Sequence, residues 1–450
     1  VRLNRKLSAV GMAALTLGAI AVGCGQGATS PASSSGHQGT VQITYWYPWG
    51  GDSEKWDKWR IAKFQKENKN IKINAVYVPP DGGISNGKLL AAIAGHNPPD
   101  LVITNDPQAG YALAAKGALE PLDSYLKQLH FNEADLIPSF QSLMKYDGQT
   151  YLFPEDTNVE MLYYNVDLFK QAGLDPNKPP RTIAELDADA EKLTKISSSG
   201  TIQRMGFIPW IDDGDNPFVW SWTFGANLYN PKTNRMDLDS TQMVDMMNWM
   251  GSYAKKYNPE KLKSFTSGFG GAFTPDHPFF TGKVAMTVSG NWFSNALRIY
   301  APNVHYKVAP LPAPPGGRAD STIFGTNVFM IPKGAKHPLE ALKFAIWGSQ
   351  GNILASDINT WRSVAVNQSS TKGIKFYNSN GQITDPIYKT VMKLAESPKS
   401  GTPALTSVAS EMSNGLTSIR DKVIYNHADP GPLLKALQDK LQSEVGPPKS

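Results

Sequence analysis

Eleven tryptophans and one cysteine are the residues of this 450-residue chain whose chemistry asks for an explanation. An indole offers a broad apolar face and a single N–H donor, so a tryptophan is placed either for packing or for a ligand with an apolar side of its own. Three stretches imitate reactive motifs. Gly82-Gly-Ile-Ser-Asn-Gly87-Lys88 keeps a phosphate-loop spacing until Leu89 stands where a hydroxyl should hold magnesium. Asp212-Asp213-Gly214-Asp215 has the composition of a calcium loop but neither the alternating oxygens nor the bidentate glutamate. Glu155-Asp156 suggests the acid pair of an exported glycoside hydrolase, yet neighbours in an extended segment point to opposite faces, which opposes a facing pair at roughly 5 to 9.5 Å. The seven histidines form no helical metal-ligand pair. The expectation is no metal, no cofactor and no enzyme.

Cys24 follows a basic start (Arg2, Arg5, Lys6), an uncharged run from Leu7 to Gly23, and the small residues Ala21-Val22-Gly23. That order reads as residues 1–23 being a lipoprotein signal peptide, with lipidation of Cys24 after cleavage; the alternative is a plain signal peptide with an incidental thiol. Residues 24–40, rich in Gly, Ser, Ala, Pro and Thr, read as a flexible linker. Without the three leader cations, 41 Lys and Arg face 39 Asp and Glu. So balanced a surface gives no footprint for nucleic acid, and the membrane enters only through the anchor.

The elements that must position the tryptophans follow from punctuation. Val41 to Trp46 alternates as a strand, then turns through Pro48 to Gly51 into a helix reaching about Asn68. Ile71 to Val78 and Leu101 to Ile103 are strands, separated by a helix from Lys88 to His96 and followed by one closing at Gly117. This β-α-β-α-β order predicts an α/β fold with a parallel sheet, whose ligands gather beyond the carboxyl ends of the strands. The loops there hold Trp46, Trp49, Asp52 and Asp106. Asp147-Gly148 reads as a hairpin turn, Tyr151 to Asn165 as a long extended passage, and Thr182 with Glu185 as a capping box. Trp56 and Trp59, at helical spacing, read as core.

Taken in order along the chain, Lys88 to Gly95 with Pro99-Asp100, Gly117 to Asp123, Leu162 to Phe169, Pro180 to Leu186, Phe280 to Met286, Gly290-Asn-Trp292 and His337 to Ala341 resemble the extracytoplasmic sugar-binding proteins of ABC importers, relatives of maltodextrin-binding protein. The resemblance implies a two-lobed periplasmic-binding-protein-like fold with a hinge and an interlobe ligand cleft. It places an N-terminal lobe in 41–155 plus 325–360 and a C-terminal lobe in 156–324 plus 361–445. Crossings are expected near Phe153 to Asn158, Pro310 to Asn327 and Ile358 to Ala365.

By that resemblance Asp106 hydrogen-bonds sugar hydroxyls, its alternative being a helix N-cap. Trp292 stacks on a sugar ring, its alternative being a core tryptophan. Asp156, Asn158 and Asn327 lie on the crossings. Trp361-Arg362 is a replacement platform or a packed tryptophan beside a solvated arginine. Trp210, Trp220 and Trp222 divide between ligand contact and packing. The implied function is a monomeric, lipid-anchored receptor that captures an oligosaccharide and delivers it to the permease subunits. Besides the hydrolase, the same fold with a phosphorylated or amino ligand is the other reading; a phosphate would want converging cations, and Arg362 is the evident one.

Overall fold

The computed structural model describes residues 39–79, 87–367, 373–402 and 405–448. Cys24, the leader and almost all of the spacer lie outside them, as does most of the glycine-rich loop before Lys88. Strands β1 (Val41–Tyr47), β2 (Ile71–Tyr77), β3 (Leu101–Thr104), β4 (Leu152–Asn165), β5 (Met286–Gly290), β6 (Tyr306–Ala309) and β7 (Phe324–Met330) form one sheet in the order β5-β4-β7-β3-β1-β2, with β6 also on β4. The pairs β1–β2 and β1–β3 are parallel, as the helical crossovers require, and β7 enters antiparallel between β3 and β4. The helices that matter for the site are α1 (Asp52–Glu67), α2 (Pro107–Ala115), α3 (Pro217–Phe224), α4 (Thr241–Tyr257), α5 (Phe293–Tyr300), α6 (Pro338–Gly348), α7 (Gly351–Trp361) and α8 (Ala409–Asn426).

Local chemistry explains the boundaries. Thr182 accepts from the Glu185 N–H at 3.2 Å while the Glu185 carboxylate accepts from the Thr182 N–H at 3.1 Å, closing the capping box. Asp147 and Gly148 both take positive φ, 47° and 79°, in the two-residue turn that joins Lys145-Tyr146 to Gln149-Thr150.

Every one of the fourteen positions of β4 is buried. Its first half pairs with β7 and its second half with β5 and β6, so one strand runs between separate hydrophobic cores. The first core gathers Ile43, Phe64, Val102, Phe153, Phe329 and Phe344. A second holds Leu162, Phe207, Trp220, Trp249 and Met412, and a third holds Met161, Tyr163, Phe293, Ile358 and Tyr388. Helix α7 therefore departs from the expected first-lobe segment 325–360: Leu354, Ala355 and Ile358 pack with Val159 and Tyr163 instead.

The three expected crossings lie side by side. Thr157 and Val364 exchange backbone hydrogen bonds of 3.0 and 2.8 Å, and the hydroxyls of Thr157 and Thr326 are 3.0 Å apart. Asn291, fully buried, ties the group: its oxygen accepts from Val159 N–H at 2.8 Å, and its amide donates to Asn158 Oδ1 and to the Trp361 carbonyl, each at 2.9 Å. Asn291→Ala strands one buried donor and two buried acceptors, so it should cost about 2–4 kcal/mol of stability. Denaturant unfolding of the variant checks this, and an unchanged midpoint would show that Asn291 is no brace.

Candidate functional site

Where β4, β7 and the segment after α7 run together, a cavity of about 270 Å³ opens against α1. Helix α1 turns Ser53, Trp56, Asp57 and Arg60 toward it, an i, i+3, i+4, i+7 row on one helical face. The loops after β1 and β3 bring Trp49 and Asn105. From β4 come Glu155, Asp156, Asn158 and Glu160, and Gly325 and Asn327 come from β7. The other wall carries Asp213, Phe273, Trp292, Asp357, Trp361 and Ser363.

Glu155 and Asp156 both line the cavity, against the alternation expected of adjacent strand residues. The cause is a bulge: Asn327 pairs with Asp156 and Val328 with Pro154, which leaves Glu155 as an extra residue without an opposite number. Glu155 meets Arg60, which also binds the Tyr45 hydroxyl and Asp57, each at 2.5 Å. Arg60 is buried beneath Tyr45, Phe329 and Phe344, at 5.6–5.7 Å from their ring centres. Asp156 accepts from the Asn327 amide at 2.6 Å. Asp213 accepts from the Gly290 N–H at 2.9 Å and the Ser289 hydroxyl at 3.1 Å, and lies against Glu160.

Two buried polar atoms in the lining, Arg60 Nε and Asn327 Oδ1, remain without a protein partner, while the Glu160 carboxyl meets that of Asp213. Burial without a partner is costly, so these atoms keep unmet hydrogen-bonding capacity toward the cavity. The carboxyls respond to the same burial. Loss of solvation pushes Glu155 up to about 7, Arg60 opposing and Asp156 adding, and pushes Asp213 up to about 6, with Asp212 adding. Glu160 rises well above its ordinary value through burial and Asp213, and Asp357 does so through burial and Asp156.

The aromatic wall depends on a glycine. A Cβ at Gly290 would run into the Trp292 ring, so the absence of a side chain at the end of β5 lets the indole fold back over the strand. Phe273 lies against Trp292 at 5.2 Å between ring centres and meets Trp361 edge-on at 6.3 Å.

Of the residues singled out from sequence, the cavity brings together Trp49, Asp156, Asn158, Trp292, Asn327 and Trp361. Others lie elsewhere. Asp106 caps α2, its carboxylate accepting from Ala109 N–H at 2.9 Å, and its neighbour Asn105 takes the lining position. Trp220 is 0% exposed, donates to the Pro209 carbonyl at 2.9 Å and belongs to the second core. Trp222 donates to the Lys399 carbonyl at 3.2 Å beneath the Arg318 guanidinium, and Trp46 packs at the margin of the first core under Lys88. Arg362 is held by Asp385 at 3.1 and 2.8 Å and by the Ser294 hydroxyl at 2.9 Å, so it is neither solvated nor turned to the cavity. Trp210 borders an adjoining hollow. The Asp52 side chain lies outside the described residues.

Trp56 and Trp59 are not core residues. They stack at 4.7 Å on one face of α1, but that face looks to the cavity and to solvent, and Trp59 is 41% exposed. The Asp212–Asp215 run spreads its carboxylates rather than converging them: Asp212 binds His277 at 2.8 Å and also Thr287, Asp213 enters the cavity, and Asp215 meets Arg420. Sequence reasoning passed over Asp57, Arg60, Glu160, Asp357 and Ser363. The signal for the first two was the row on α1, which has the spacing of an ordinary solvated face.

Residues 47–349 match the family described as bacterial extracellular solute-binding protein. The chain belongs to that family. It is 28% identical over 362 residues to an uncharacterized ABC transporter extracellular-binding protein of Pyrococcus horikoshii, covering 75% of each chain. The structure of CpMnBP1 with mannotriose bound is 35% identical and superposes with a TM-score of 0.80 over 90% of this chain and 100% of that one. The maltose/maltodextrin-binding domain MalE of Bdellovibrio bacteriovorus, bound to maltotriose, shares the fold at 20% identity, with a TM-score of 0.71 over 90% of this chain and 100% of that one. The fold is thus the two-lobed α/β architecture of extracytoplasmic binding proteins, and the cavity lies where β4 and β7 pass between the cores.

A carboxyl with a raised folded-state pKa holds its proton more tightly than in the unfolded chain. The resulting stability is fully present below about pH 4 and lost as pH rises through the folded value. For Asp213 and Glu155 that window runs from about 4 to about 6 and about 7. The ligand-free protein should therefore lose on the order of 2–3 kcal/mol relative to Asp213→Asn between pH 4 and pH 8. Thermal melts of both across that range test the sign; parallel curves would mean that Asp213 keeps an ordinary pKa.

Proposed function

We propose that this family member captures a neutral oligosaccharide in the cavity and presents it to the transmembrane subunits of an ABC importer, held at the membrane through a lipidated Cys24. The observation that carries the reading is the pairing of aromatic faces with unpartnered buried polar atoms. Trp49, Trp56, Phe273, Trp292 and Trp361 stand around Arg60 Nε and Asn327 Oδ1. A pyranose has an apolar C–H face for the indoles and a rim of hydroxyls for the carboxylates, a match that few other small solutes offer. The 35% identical structure with mannotriose supports manno-oligosaccharides as first candidates.

Charge argues against a phosphorylated ligand. Asp57, Glu155, Asp156, Glu160, Asp213 and Asp357 line the cavity beside a single guanidinium, which Asp57 and Glu155 already engage. An anion entering there would meet repulsion with no free cation to offset it. The crossings supply the hinge by which the lobes close over the sugar.

Calorimetric titration with mannotriose tests the site. Trp292→Ala should weaken binding by about 2 kcal/mol or more. Gly290→Ala should weaken it comparably, by pushing the indole out of place rather than deleting it. Wild-type affinity in both folded variants would move the site away from Trp292. Anchoring has its own test: Cys24→Ala should move the protein from membranes to the soluble extracytoplasmic fraction, and a wild type already soluble and free of lipid would refute it.

A further inference from the structure

Two acids of the cavity wall touch each other with no base between them. The Glu160 carboxyl meets that of Asp213, and the two come from separate parts of the fold: Glu160 from β4, Asp213 from the single turn Asp212–Asp215 that precedes α3. Among the described residues lining the cavity Arg60 is the one cation, and Asp57 and Glu155 engage it. The basic groups flanking these segments are engaged as well: Arg420 meets Asp215, Arg362 meets Asp385, and the His277 imidazole meets Asp212. Asp156 and Asp357, the remaining acids of the wall, add only negative charge. Two carboxylates in buried contact do not both stay ionised, so the pair holds a proton. The donors around it decide which carboxyl keeps it. Asp213 accepts from the Gly290 N–H at 2.9 Å and from the Ser289 hydroxyl at 3.1 Å, contacts that suit an ionised carboxylate. The Glu160 carboxyl has Asp213 and no such donor among the described residues.

We infer that Glu160 is a positioning residue: it works as a neutral acid whose O–H donates to the Asp213 carboxylate and so holds in place the Gly290 turn that carries Trp292. The inference rests on the sugar reading of the cavity and adds to it the residue that sets the stacking face. Glu160 stands directly opposite Gly290 in the ladder between β4 and β5. Its N–H donates to the Thr322 hydroxyl at 2.8 Å, and its strand is buried throughout, so it is a fixed point. Asp213 spans the gap, accepting from the Gly290 N–H and from Glu160 at once. Gly290 in turn leaves the space into which the Trp292 indole folds, since a Cβ there would run into that ring. Were Glu160 ionised, two like charges would stand in contact away from water, and their repulsion would drive the Asp213 carboxylate off the Gly290 N–H. The protonated acid removes that repulsion and leaves the pair with one charge instead of two. A glutamine at 160 presents a donor of the same shape, whereas an alanine or a methionine presents none.

Infrared spectra, circular dichroism and ligand titration of wild type, Glu160→Gln, Glu160→Ala and Glu160→Met separate the proton from the positioning. At neutral pH the spectrum of wild type minus Glu160→Gln should contain the C=O stretch of a protonated carboxylic acid; a carboxylate band in its place would overturn the inference. Near-ultraviolet circular dichroism, which reports how firmly aromatic side chains are fixed, should be the same in wild type and Glu160→Gln and altered in Glu160→Ala. In calorimetric titration with mannotriose, Glu160→Gln should bind within about twofold of wild type and Glu160→Ala about tenfold more weakly, the scale of one charge-assisted hydrogen bond. Glu160→Met, similar in length and without a donor, should match Glu160→Ala and keeps the comparison open where the smaller side chain does not fold. A Glu160→Gln variant as weak as the donorless ones, or donorless variants as tight as wild type, would overturn the positioning role and leave the sugar reading standing. Failure of wild type itself to bind mannotriose or any other saccharide would overturn the sugar reading, while the infrared and dichroism comparisons would still decide the role of Glu160.

Discussion

A strand that must run through the interior while carrying acids is the constraint on which this molecule rests. All fourteen positions of β4 are buried, yet Glu155, Asp156, Asn158 and Glu160 lie among them. Burying a carboxylate is expensive unless it is paired or protonated, and each of these finds a different partner. Glu155 meets Arg60, Asp156 meets the Asn327 amide, Asn158 holds Asn291 and the Gly325 carbonyl, and Glu160 leans on Asp213. The compensation is incomplete, and what remains open faces the cavity. A cavity built in this way keeps unmet hydrogen-bonding capacity on its inner face.

The same strand explains how two cores share one cleft. The bulge at Glu155 re-aims a residue that the pleat would have sent to the other face, and it does so where β4 passes from the first core toward the others. Thr157, Thr326 and Val364 then lock three chain segments at one level, with Asn291 holding them from the side.

On the aromatic side the governing detail is the missing Cβ at Gly290. It sets the Trp292 indole over the end of β5, and Phe273 and Trp361 then complete the wall by ring contacts. The Gly290 N–H simultaneously donates to Asp213, so one residue positions both a stacking face and a carboxylate.

Much of this was legible in the chain itself. Alternation and punctuation located β1 to β3, the long passage from Tyr151 to Asn165, the Thr182 capping box and the Asp147-Gly148 turn, because each is a local pattern with a local cause. The order of short motifs pointed to the family, and the resemblance singled out Asp156, Asn158, Trp292, Asn327 and Trp361, while Trp49 stood out on the loop after β1. Tertiary structure alone decided which acids and rings face the same space. No local rule says that the row Ser53, Trp56, Asp57, Arg60 turns to a cleft instead of bulk water, or that α7 joins Tyr163 rather than the first core. Nor could pleat alternation foresee the bulge that brings Glu155 beside Asp156, since it exists only through the register that β7, about 170 residues later in the chain, imposes on β4. Local propensity acts over a few residues, whereas burial, and with it the charge state of Glu155 and Asp213, is set by segments that meet only once the chain has folded.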